Sequence, residues 1–194
     1  MKNIKWIFTG ILFLLFVANC KKKETNKEDP KITKSSYLLQ HDSFPDNGTS
    51  GFQSGFVAGE AAAVYFGPVD KEFQIKKIKL LFGGAVGDSS FILKIQKDSS
   101  GFPGQVVFSS TYKLPGNSNI PGILDLSGNN VVLAAGSFFV VVTMTHNGLP
   151  SVAVDKDGTI NNTHNFIFVS GLGWSKSSTY GLSGDWIIRA EIEK

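Results

Sequence analysis

The chain has 194 residues, 42% of them hydrophobic and 18% charged, a globular composition that excludes a disordered or fibrous protein. Its formal charge of +3 is local: residues 1–34 hold eight lysines against three acids, a net of +5, which leaves −2 for the remainder. A slightly acidic body offers no footprint for a phosphate backbone, so nucleic acid is excluded as a partner. At the start, Lys2 and Lys5 precede residues 6–18 (WIFTGILFLLFVA), an apolar run of 13 residues. As a helix this run rises about 20 Å against a hydrocarbon core of about 30 Å, so residues 1–19 are expected to be a cleaved signal peptide rather than a permanent span.

Cys20 is the one cysteine of the chain, and no disulfide can form within a monomer. The residues Val17-Ala18-Asn19-Cys20 resemble the bacterial lipobox, with Asn19 standing where that family usually carries Gly, Ala or Ser. The resemblance implies cleavage before Cys20, a thioether-linked diacylglycerol on its sulfur and acylation of the new amino group. At about 0.8 kcal/mol per buried methylene, one acyl chain supplies on the order of 10 kcal/mol of anchoring. Lys21, Lys22 and Lys23 add about 1 kcal/mol each near an anionic surface, which makes them spacer rather than anchor. Family members retained in the inner membrane often carry acidic residues after the cysteine. The three lysines depart from that pattern, and the resemblance therefore implies the outer membrane.

Residues 20–51 are polar and broken by Pro30, Pro45 and Asn47-Gly48, so they read as the lipidated cysteine and a flexible tether. Tyr37-Leu38-Leu39 is an apolar cluster within it, placed either to dock on the following domain or to begin its first strand. From residue 52 to 194 the texture is short β-rich runs between Gly, Pro, Asn and Asp clusters. Strands are expected over 61–66, 73–82, 90–97, 106–112, 122–126, 130–133, 137–145, 151–154, 165–170 and 185–193. Ile78 and Leu80 alternate with Lys77 and Lys79, and Phe91, Leu93 and Ile95 alternate with Lys94 and Gln96, which gives each strand one dry face and one wet face. Residues 138–142 (FFVVV) are apolar on both faces, as in a central strand covered on its second side. Turn-forming pairs such as Ser100-Gly101 and Asp157-Gly158 separate the runs. The fold class is all-β: one antiparallel, jelly-roll-like sandwich.

The segments 99–104 (SSGFPG), 138–143, 147–151 (NGLPS) and 180–190 (YGLSGDWIIRA) resemble jelly-roll modules of bacterial surface and secreted proteins. That resemblance implies a carbohydrate-binding or adhesion sandwich that takes a glycan or an extracellular protein at a cell surface. A structural lipoprotein that faces the periplasm and contacts partner subunits is the alternative.

Little in the residues points to catalysis. His41, His146 and His164 occur singly in loop contexts, no G-x-S-x-G elbow is present, and residues 83–87 lack a P-loop lysine. No catalytic residue, cofactor or metal-ligand set is assigned. Asp155-Lys156-Asp157-Gly158 opens like a calcium loop, but its twelfth position is Phe166 rather than Glu; Asp98, Asp125 and Asp155 remain acids that a structural calcium would use. Arg189 is expected opposite Trp186, Ile188, Ala190 and Ile192, in surface pairing with Glu191 and Glu193. Trp186 belongs to the core. Trp174 and Tyr180, in the hydroxyl-rich loop expected over 173–180, are the candidate ligand-binding residues, since aromatic faces stack on sugars.

Overall fold

The computed structural model describes residues 34–45, 48–84, 88–116 and 119–194. The signal peptide over 1–19 and the lipidation site at Cys20 lie outside the described residues. The first strands are β1 (Ser36–Leu39), β2 (Gly51–Phe52), β3 (Ala61–Val69), β4 (Phe73–Leu80) and β5 (Phe82–Gly83). Next come β6 (Asp88–Ser99), β7 (Phe102–Pro115), β8 (Gly122–Asp125), β9 (Val132–Leu133) and β10 (Gly136–Met144). The last are β11 (Ser151–Val154), β12 (Asn165–Val169), β13 (Gly173–Lys176) and β14 (Ile188–Glu193).

These strands form an antiparallel β-sandwich. One sheet has the order β13-β12-β3-β10-β6-β7, and the other runs β1-β14-β4-β8 with β9 paired to β4; a small sheet, β2-β11-β5, completes the fold. Alternate residues of both main sheets meet in one core. Val64, Phe66, Leu93, Ile95, Phe138 and Val140 come from the six-stranded sheet, and Ile75, Ile78, Leu80, Ile188, Ala190 and Ile192 from the other. Each such side chain contributes about 1.5–3 kcal/mol on leaving water. β6 and β7 are joined by Ser100 and Gly101, both at positive φ (55° and 86°), the mirror-image turn whose twist suits a two-residue hairpin. The Asp98 carboxylate accepts the Gly101 amide at 2.7 Å and fixes that turn.

Three sequence expectations change. The compact unit begins at Lys34, not at residue 52. Tyr37-Leu38-Leu39 lies within β1, which pairs with β14 from Ser36↔Glu193 to Leu39↔Ala190. Phe44 then packs on Leu81, Ala153 and Ile187 in a small core of its own. Residues 173–180 are a strand and a short 3-10 helix (Ser177–Tyr180) rather than a loop. Buried Ser177 holds that helix in place by accepting the Trp186 indole N–H at 3.0 Å, a bond shared with the Phe166 carbonyl at 3.1 Å. Finally, Arg189 is buried. It does share the outer face of its sheet with Glu191, but residues 40–45 cross over it and Asp42 grips the guanidinium from Nε at 3.1 Å and from Nη2 at 2.6 Å. The Phe44 carbonyl accepts from the same Nη2. The surface pairing expected for Arg189 falls to the lysines instead: Glu191 meets Lys77 at 3.1 Å and Lys79 at 3.6 Å.

Candidate functional site

The outer face of the six-stranded sheet follows from strand alternation. With Val64, Leu93 and Val140 turned into the core, Ala61, Ala63 and Tyr65 of β3, Phe139, Val141 and Thr143 of β10, and Lys94 and Gln96 of β6 turn outward. The register places them in rows. One row runs Trp174, Phe168, Ala61, Thr143, Ile92 and Thr111; the next runs Lys176, Phe166, Ala63, Val141, Lys94 and Ser109. A third sets Tyr65, Phe139 and Gln96 side by side.

A groove of about 120 Å³ opens where these rows pass over the short side chain of Ala61. Trp174 and Phe168 wall one side, packed edge to face with centroids 5.4 Å apart, and Lys94 and Gln96 wall the other. Val141 and Thr143 lie between them, and Gly59 sits at the lip. Apolar contacts support the floor: Phe139 and Phe166 meet at 5.3 Å, and Phe102, carried over by the tip of the β6–β7 hairpin, meets Phe166 at 5.6 Å. The expected cover on the second face of 138–142 is therefore a second apolar cluster built on Ala61, Ala63, Phe139, Val141 and Phe166.

Two polar groups of the groove are unspent. Gln96 is only 9% exposed, and its Oε1 has no hydrogen-bond partner among the described residues. A buried carbonyl left unpaired costs about 1–3 kcal/mol, so a fold that keeps one forgoes stability there. Lys94 is half-buried and makes no ion pair among the described residues, and neither does Lys176 on the same face. Glu60, which stands between Gly59 and Ala61 of the groove in sequence, is occupied: its carboxylate accepts the amides of Val57 at 2.9 Å and Ser170 at 3.3 Å.

Of the two sequence candidates, Trp174 lines this groove and Tyr180 does not; Tyr180 sits exposed at the end of the 3-10 helix that follows β13. Sequence reasoning missed Gln96 and Lys94. Both were legible as wet-face residues of β6, but nothing local marks one wet-face residue as lacking a partner.

Other polar clusters are internally satisfied. Asp155 is buried and accepts the amides of Ser43 and Asp185, each at 2.9 Å, while Asp157 accepts Ser43 and Thr159 hydroxyls at 2.7 Å. Burial raises the Asp185 carboxyl above its usual range, helped by the charges of Asp155, Asp157 and Asp42, and the side-chain amide of Asn165 donates to it at 2.5 Å. Hydrogen bonds from Ser43 and Thr159 hold Asp157 below its ordinary value. Among the described residues no three His, Cys, Asp or Glu side chains converge on a metal position. His41 and His164, both expected as isolated loop residues, are stacked at 3.7 Å, and His41 bonds the Tyr65 carbonyl at 2.9 Å. Burial, then the neighbouring His164, lowers His41 to about 4. A cavity of about 360 Å³ beside β1 is larger than the groove, yet its charged group is spent, since Lys194 binds Asp70 at 2.5 Å.

No family model matches the sequence. No curated protein matches it either. Among solved structures, the fold is similar to one described as the cysteine protease and lectin-like domains of Cwp84, a surface layer associated protein of Clostridium difficile. The TM-score is 0.50 at 15% identity, over 70% of this chain and 32% of that one. The chain thus spans about a third of its structural neighbour, and the likeness is one of fold. No described helix is long and apolar enough to cross a membrane.

Proposed function

We propose that this chain is a lipid-anchored protein of the cell envelope whose sandwich binds glycan, without catalysis, on the outer face of the six-stranded sheet. The observation that carries the reading is the groove itself, where Trp174 stands opposite Lys94 and Gln96, whose ammonium and Oε1 have no partner among the described residues. Sugar recognition needs this pairing of an aromatic platform for apolar C–H faces with a few fixed polar groups for hydroxyls. The lectin-like domain named for the structural neighbour agrees with it. Anchoring rests on the lipobox-like residues before Cys20, and the compact unit begins at Lys34, which leaves residues 21–33 for the spacer.

Retention on a glycan array, compared between the full chain in detergent and its Trp174→Ala variant, tests the site. Binding should fall at least tenfold in the variant and persist in Tyr180→Ala; equal retention by Trp174→Ala removes the site. A second reading, contact with partner subunits in the periplasm, draws on exposed apolar side chains at Leu172 (72%) and Ile123 (58%). Protease shaving of intact cells separates the two: degradation supports the surface reading, and protection supports the periplasmic one.

A further inference from the structure

The two outer faces of the sandwich handle their lysines differently. On the five-stranded sheet Lys76, Lys77 and Lys79 each meet a glutamate, at 3.5, 3.1 and 3.6 Å. On the six-stranded sheet Lys113 on β7 is not free, but Lys94 and Lys176 meet no acid among the described residues, and no Asp or Glu lines the groove. Lys94 is also set on an apolar bed, opposite Val141 and across the groove from Phe168 and Trp174. The stem of the half-buried Lys94 lies along this bed, which holds its ammonium at the groove for an incoming anion.

From these observations we infer that the groove takes an acidic saccharide, one whose sugar ring carries a carboxylate. The inference rests on the glycan-binding reading above and narrows it. The Lys94 ammonium pairs with the carboxylate, the Gln96 side chain turns on binding so that its Oε1, inaccessible in the free protein, accepts a hydroxyl or amide N–H of the sugar, and Trp174 stacks on the ring. One isolated ammonium suits one carboxylate, whereas a densely sulfated chain would call for a ladder of cations. The groove, about 120 Å³, suits the end or edge of one sugar unit rather than an enclosed chain. Gln96 explains why the fold tolerates an unpaired buried carbonyl, since the ligand completes it.

The test uses the full chain in detergent micelles on an array of uronic- and sialic-acid oligosaccharides, each beside its carboxyl-reduced counterpart. The acidic members should be retained at least tenfold better than the reduced ones, and the preference should shrink with added salt. Lys94→Met, which keeps the apolar stem and removes the charge, should erase that preference. Gln96→Leu should weaken binding several-fold without lowering the melting temperature. If reduced and acidic glycans bind alike through Trp174, or if Lys94→Met keeps the preference, the acidic-ligand inference is overturned and glycan binding stands. If no glycan of either kind is retained, both fall.

Discussion

The outer faces of the two sheets are built from the same β alternation and reach opposite electrostatic ends. On the five-stranded sheet every described cation is answered: Lys77 and Lys79 by Glu191, Lys76 by Glu193, and Arg189 by Asp42, which is itself fully buried. On the six-stranded sheet Lys113 is partnered, but Lys94 and the Gln96 carbonyl line an aromatic-walled groove without a partner among the described residues, and Lys176 on the same face makes no ion pair among them. Paired charges serve the fold, and the proposed glycan-binding reading assigns the unpaired Lys94 and Gln96 to a ligand. That reading rests on this contrast more than on the presence of exposed aromatics.

Breaking the closed face should have the largest effect. Asp42→Ala strands the buried Arg189 guanidinium, and loss of one partner from a buried pair costs about 3–5 kcal/mol. At about 2–4 °C per kcal/mol for a protein of this size, thermal denaturation should show a melting temperature lower by roughly 10 °C or more. A loss of only a degree or two would mean that the Asp42–Arg189 clasp is incidental. The pH dependence of stability comes next. Because folded His41 titrates near 4 rather than 6.5, the unfolded chain takes up a proton through that window that the folded chain refuses. Stability should therefore fall as pH drops from about 6.5 to 4. His41→Phe, which keeps a ring against His164 and Phe66, should flatten that slope relative to wild type in matched pH series; an unchanged slope would contradict the assignment.

The open face predicts the smallest change in stability, with reversed sign. Gln96→Leu replaces an unpaired buried carbonyl by a side chain of similar size and should raise stability by about 1 kcal/mol in denaturant unfolding. A destabilised Gln96→Leu variant would show that Gln96 serves the closed network rather than the groove.

What was legible in the sequence follows from the range of each interaction. Alternation is local, so the main strands and the core face of β14 could be read directly, as could the covered second face of β10. Short strands whose pairing comes from far along the chain carry no such signal. β1 pairs with the last strand, and its polar flanks left Tyr37-Leu38-Leu39 open between docking on the domain and beginning its first strand. The stretch 173–180 looked like a loop because only the register with β12 and the grip of Trp186 on Ser177 show its order. Arg189 was placed on the right face, but its partner lies on a segment that the sequence assigned to the tether, so burial could not be foreseen. Trp174 was singled out from residue type and its hydroxyl-rich context alone, and the structure places it at the groove. Gln96 and Lys94 were hidden because lacking a partner is a property of the folded surface, not of a motif.

The central claim is that ligand meets the outer face of the six-stranded sheet. Two-dimensional NMR of the full chain in detergent micelles, titrated with a glycan retained on the array, tests it most directly. The Trp174 indole N–H and the Gln96 side-chain amide should shift together at saturating glycan while the Arg189 guanidinium stays still. Shifts confined to the Tyr180 helix or to the loop ends at Leu149 and Leu172, with Trp174 and Gln96 unmoved, would contradict the account.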